Sequence, residues 1–170
     1  YATEVKKRHP EAVIWSLAYN AYKLPPTDIK RFPDNVGITL CLIPTVVVQN
    51  QAGVREKNRA LIEQWFDLVN RNPERLIVWD YYCYPNWWFV APTEIPHVLK
   101  DHVGFLKGRA LGIFNNGFNP STRGEMPNLY LTYRIVWLLH RLLWNPDLDL
   151  DRARREWAHD LFGPAGGEMD

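Results

Sequence analysis

Residues 75–82 read RLIVWDYY: an apolar run of four, closed by a carboxylate and two tyrosines. Asn72-Pro73 stands just ahead of it, and the run is too short for a helix. Its branched and aromatic side chains suit a buried strand. Residues 11–19 (EAVIWSLAY) and 36–43 (VGITLCLI) carry the same pattern, and residues 110–114 (ALGIF) form a shorter version. None of the four alternates cleanly between polar and apolar. Each therefore predicts a parallel strand covered on both faces, not a half-exposed one.

The segments between these runs read as helices and loops. Residues 1–8 resemble a helix tail stopped by His9-Pro10, and residues 24–35, with Pro25, Pro26 and Pro33, read as a loop. That loop has room for at most one helical turn, at residues 28–31. Leu61, Ile62, Trp65, Phe66 and Val69 mark one face of an amphipathic helix. Thr93 suits the N-cap of a helix carrying Ile95, Val98, Leu99, His102 and Leu106 towards the core. Pro127 suits the first position of a helix burying Tyr130, Tyr133, Val136, Trp137 and Trp144. A last helix starts near Asp149, runs through Ala153, Trp157 and Leu161, and takes Gly163 as its C-cap.

Strands alternating with helices imply an α/β fold with a parallel sheet. The loop after the first strand run is short of helix, which fits an irregular barrel better than a doubly wound sheet. Four strands in 170 residues amount to half of a (β/α)8 TIM-type barrel, and half a barrel leaves two strand edges open. The expected unit is a single partial domain over residues 1–170, the C-terminal half-barrel of a longer protein. Its expected partner is the N-terminal half-barrel of the same parent chain.

Composition excludes several classes. The net charge is +1 with no basic stripe, so nucleic acid is not an expected partner. No apolar run approaches a membrane span, and no signal peptide is visible. Cys41 and Cys83 lie in apolar or aromatic runs without CxxC spacing, as buried free thiols do. His97, Asp101 and His102 share a helix, but no further ligand joins them. A solvated helix face accounts for them, so neither metal nor cofactor is expected. Eight Trp and eight Tyr in 14% aromatic content mean a ring-rich core, with any loop rings free to stack on sugars.

Barrel sites lie at the C-terminal strand ends. There the first strand offers Asn20 and Tyr22, the third Asp80, Tyr82, Trp87 and Trp88, and the fourth Asn115 and Asn116. Asp80 is the catalytic candidate, because a carboxylate at a strand exit can act as acid or base. Capping a turn or pairing with a nearby Arg explains it equally well. Trp87 and Trp88, between Pro85 and Pro92, suit a stacking platform or an apolar plug. Asn115 suits hydroxyl recognition, whereas turn chemistry suits Asn116 somewhat better than a ligand contact does.

Residues 5–22 (VKKRHPEAVIWSLAYNAY), 78–81 (VWDY), 112–117 (GIFNNG), 142–147 (LLWNPD) and 157–165 (WAHDLFGPA) together resemble the bacterial DUF4838 family. That family consists of glycoside-hydrolase-like barrel proteins distantly similar to α-glucuronidases and hexosaminidases. The resemblance implies earlier barrel strands and an Asn-Asp-Gly region upstream, the expected home of catalytic carboxylates. It also exposes a departure. The family commonly carries Gly-Val-Phe-Glu where this chain has Gly112-Ile113-Phe114-Asn115, and an amide cannot serve as acid or base.

The expected function is that of part of a carbohydrate-active barrel, binding and hydrolysing a glycan that contains uronic acid or amino sugar. Hydrolysis needs two carboxylates, and this chain offers one candidate. The alternative is a barrel that binds carbohydrate without catalysis, which Asn115 favours. A third is a self-sufficient domain with an unrelated small-molecule role, against which open strand edges argue.

Overall fold

The structure, a computed structural model, describes residues 1–42, 51–81, 96–115 and 129–169. Strands β1 (Ile14–Ala18), β2 (Val36–Cys41), β3 (Leu76–Asp80) and β4 (Gly112–Asn115) lie side by side in chain order. All three pairings are parallel, with Ile38 opposite Leu76 and Asp80 opposite Asn115. Five α-helices accompany them among the described residues: α1 (Ala2–Arg8), α2 (Ala52–Leu68), α3 (Pro96–Leu106), α4 (Leu129–Trp144) and α5 (Leu150–Phe162). This is an α/β architecture consistent with half of a TIM barrel.

Strand alternation divides the sheet into two unlike faces. Ala18, Ile38, Leu40, Leu76 and Val78 point to one side and pack with Leu61, Ile62, Trp65 and Phe66 of α2. A second cluster joins Leu99 and Val103 of α3 to Ile135, Leu138, Leu139 and Leu142 of α4 and Ala153 of α5. Ile113 of β4 touches both clusters. The opposite face carries Trp15, Leu17, Thr39, Ile77, Trp79 and Phe114, and no described helix covers it. Leu17 stays 49% exposed and Phe114 51% exposed.

That face corrects one expectation: among the described residues, helices cover the sheet on one side only. β1 shows the difference best, with Trp15, Ser16 and Leu17 all exposed. The Trp15 ring lies flat over Gly37, where a Cβ would come within 2.7 Å of it. Gly37 is therefore the residue that lets a tryptophan cross its neighbouring strand.

Other expectations need smaller adjustments. The helical turn after β1 falls at Asn20–Tyr22, not at residues 28–31. β4 is displaced towards the C-terminus and includes Asn115. Helix α4 buries the aliphatic set Ile135, Leu138, Leu139 and Leu142, while Trp144 is 92% exposed and Val136 and Trp137 are half-buried. The aliphatic residues hold the i, i+3, i+4, i+7 spacing that meets α3, which turns Trp144 away and leaves Trp137 packed at the edge of that cluster. Leu161 is likewise exposed on α5, although Ala153 and Trp157 are buried as expected. Thr93, Ile95 and Pro127 lie outside the described residues, as do the side chains of Tyr130 and Tyr133.

Local signals at the helix ends behave as their chemistry dictates. The Asp149 carboxylate accepts the Arg152 backbone N–H at 3.0 Å, closing the start of α5. Gly163 ends that helix at φ 55°, a conformation that L side chains adopt with strain. At the sheet's other end, Asn35 is buried, and its amide donates to the Ala2 carbonyl at 2.9 Å, fastening α1 beside the loop into β2.

A charged clasp ties α2 to the turn before β4. Arg109 donates to Glu63 at 2.6 Å and lies 4.5 Å from the centre of the Phe105 ring, while Arg71 reaches Glu63 at 3.0 Å. The Arg109 bond, foremost, holds the Glu63 carboxyl below the usual range. A depressed carboxylate stabilises the fold above its unfolded pKa, and that contribution is lost as pH falls through the folded value. Stability measured by urea unfolding is thus expected to drop on acidification through the carboxylate range, and to drop less steeply in Glu63→Gln. In the core, Leu40 is fully buried between sheet and α2. Leu40→Ala is expected to cost roughly 2–5 kcal/mol in the same measurement.

Candidate functional site

The C-terminal ends of the four strands form a rim, and four polar side chains gather along it. Asp80 ends β3 and Asn115 ends β4 as its partner in the ladder. Cys41 ends β2 as a buried free thiol. Lys23 follows the short turn after β1, and Trp65 of α2 fixes its backbone by donating its indole N–H to the Lys23 carbonyl at 2.9 Å.

The Asp80 side chain is fully buried. It shares a strand face with Leu76 and Val78, so it points into the helix layer and away from the open face. There the Nε2 of His102 lies 3.1 Å from one carboxylate oxygen, and the other oxygen accepts the Tyr81 backbone N–H at 2.9 Å. His102 is itself 5% exposed, in the stripe of α3 that carries Leu99, Val103 and Leu106. The solvated-face reading therefore applies to His97 and Asp101, which are exposed, and not to His102. Asp101 meets Arg59 at 2.6 Å.

Electrostatics links the remaining members. Burial lowers the pKa of Lys23, while the charges of Asp80 and Cys41 pull it the other way. Burial raises the pKa of the Cys41 thiol, opposed by Lys23. The rim thus holds a half-buried cation between two strand ends, with a buried carboxylate behind it.

The sequence-derived candidates divide three ways. Asp80 and Asn115 are brought together in register. Asn20 and Tyr22 stand just past β1 and are exposed, Tyr22 by 80%. Asn20 takes φ 48°, so its first role is the left-handed start of the turn. Tyr82, Trp87, Trp88 and Asn116 lie outside the described residues, as does Cys83. Lys23 and His102 are the residues that sequence reasoning passed over. Lys23 had a usable signal, a cation one residue beyond Tyr22 at a strand exit. His102 was legible as core-facing but not as the neighbour of Asp80.

Among the described residues, no three His, Cys, Asp or Glu side chains converge as a metal ion requires. No described helix is long and apolar enough to cross a membrane.

Fold and rim together define an α/β protein with a half-barrel sheet and its polar groups at the strands' C-terminal ends. The sequence matches the family described as Domain of unknown function (DUF4838) over residues 1–169, and the chain belongs to that family. No curated protein and no solved structure matches it.

Removing the imidazole leaves the buried Asp80 carboxylate without a polar neighbour 3.1 Å away. His102→Ala is expected to cost about 1–3 kcal/mol of stability. Denaturant midpoints measured beside those of Asp80→Asn give the check: if the two side chains act as a pair, the double variant loses less than the sum.

Proposed function

We propose that this chain is the C-terminal half of a carbohydrate-active barrel that binds a glycan along the rim, with the remaining strands supplied by the N-terminal half of its parent protein. The observation that carries this reading is the register of Asp80 with Asn115 at adjacent strand ends. It places an amide, which both donates and accepts, where barrel proteins meet their ligands. A uronic-acid or amino-sugar glycan is the proposed class, with Lys23, half-buried near the charge of Asp80, at the rim to meet a carboxylate where the glycan carries one. Asn20 and Tyr22 are the outer contacts, and Tyr82, Trp87, Trp88 and Asn116 complete the proposed set.

Binding without turnover is the reading that the described geometry supports best. Asp80 is occupied by His102 and a backbone N–H on the helix side of the sheet, which suits a positioning group more than an acid or base. Hydrolysis by the parent is the second reading, and the resemblance to glycoside-hydrolase-like barrels motivates it. It requires carboxylates beyond those described.

A glycan screen of the parent protein separates the two. Uronic-acid glycans are expected to bind, with Asn115→Ala and Lys23→Met each weakening affinity about tenfold, the equivalent of roughly 1.4 kcal/mol. No reducing ends are expected to accumulate. Turnover that falls in Asp80→Asn, with the fold intact, would establish the hydrolytic reading instead. Failure to retain any glycan would remove both.

A further inference from the structure

The loop of residues 23–32, between β1 and β2, meets helix α2 near both of its ends, and one side chain of α2 is present at each meeting. That side chain is Trp65, buried in the core that joins α2 to the sheet. Its indole N–H donates to the Lys23 carbonyl at 2.9 Å. Its ring stacks on Phe32, with 6.3 Å between centroids and 19° between planes.

The two ends are held by unlike means. At Phe32 the backbone itself is tied: its N–H donates to the Leu68 carbonyl at 2.8 Å, and its carbonyl accepts from the Asn70 side chain at 3.1 Å. At Lys23 the backbone N–H closes the short local turn onto the Asn20 carbonyl at 3.2 Å, and the indole bond carries the carbonyl to α2. Between the ends, residues 24–31 make no backbone–backbone hydrogen bond among the described residues, and Pro25 and Pro26 have no N–H to give. The end from which the Lys23 ammonium departs is thus the end fastened through a side-chain donor.

A lysine stem is long and flexible, so the place of its charge depends first on where its backbone is anchored. Holding an ammonium half out of water is costly, and a loose backbone would let it return to solvent. An indole suits the anchoring task, because core packing fixes the ring and the ring offers a single donor in a set direction.

We infer that Trp65 is a positioning residue of the rim: through the Lys23 carbonyl it sets where the Lys23 ammonium stands relative to the ends of β2 and β3. That this ammonium meets a glycan rests on the function proposed above; its placement by Trp65 does not.

Labelling of the parent protein with acetic anhydride, read at each lysine by mass spectrometry as pH is varied, tests the placement without any ligand. Lys30 and Lys57 are exposed and serve as references in the same molecule. Burial lowers the Lys23 pKa, so labelling there is expected to set in at lower pH than at the references. Trp65→Phe removes the donor and keeps a ring, and the Lys23 profile is expected to rise to join theirs as the ammonium passes into water. Phe32→Leu removes the stack but neither the indole bond nor the backbone ties, and is expected to leave the Lys23 profile in place. Should Trp65→Phe fail to fold, Trp65→3-benzothienylalanine, which keeps the two-ring shape with sulfur in place of the N–H, is read in the same way. A Lys23 profile that matches the references from the start, that ignores loss of the donor, or that moves equally in Phe32→Leu would overturn the inference.

Glycan retention gives a second readout. On uronic-acid oligosaccharides, Trp65→Phe is expected to weaken binding about fivefold. In the Lys23→Met background it is expected to add nothing, because it acts through that lysine. Equal losses in both backgrounds would place the effect of Trp65 elsewhere and overturn the inference. If the unaltered protein retains no glycan, the functional reading falls and the labelling profiles alone decide the placement.

Discussion

A parallel sheet has two faces to hide, and the described helices hide one. That inequality governs the rest of the structure. On the covered side, the β2 and β3 aliphatics meet Ile62, Trp65 and Phe66 in a dry core. On the open side Trp15, Leu17 and Phe114 stay exposed among the described residues. Hydrophobic burial is roughly proportional to the area removed from water, so the exposed side chains there gain nothing from the described helices. The same condition holds at the edges, where among the described residues no strand stands beside β1 or β4 on its outer side.

The alternation that creates two faces also sorts the chemistry. Asp80 and Trp79 are neighbours in sequence and lie on opposite sides of the sheet. A carboxylate on the helix side is desolvated, and His102 and the Tyr81 N–H stand against it there. It thereby fastens the exit of β3 to α3. Lys23 reaches the rim by another route, from a loop whose backbone is held by the Trp65 indole. Packing on α2 and polarity at the rim are thus mechanically joined, since Trp65 serves the core with its ring and the loop with its N–H.

Much of the fold was legible in the sequence because its signals are local. Continuous apolar runs marked the strands, the Leu61 to Val69 periodicity marked α2, and Asp149 and Gly163 marked the ends of α5. What escaped depends on distance. The exposure of Trp144 and Leu161 follows from which stripe of each helix meets its neighbour, and aromatic content is a poor guide to that when an aliphatic stripe competes. Open cover over Trp15 and Leu17 is a matter of what lies opposite the sheet, to which a strand's own residues are blind. At the rim, Asp80 was visible as a strand-end carboxylate. Its orientation was not, because one residue of register decides which face it occupies. His102 lies 22 positions away in sequence, and only the packing of α3 on β3 makes the pair.

Asn115 gains its meaning from that pair. Neighbouring parallel strands stand about 4.8 Å apart, so a glutamate at position 115 would set a second carboxylate beside Asp80 at the same register. Two such groups in a desolvated place cannot both ionise freely, and one is driven towards its protonated form. Enzymes use that splitting to obtain an acid and a base from like residues. An amide removes the repulsion, lets Asp80 settle against His102, and keeps the capacity to hold a hydroxyl. Asn115 therefore gives Asp80 a neutral neighbour at a strand end where a glutamate would add a second charge. A neutral neighbour suits recognition better than proton transfer, and that is the physical argument behind the proposal of binding over hydrolysis.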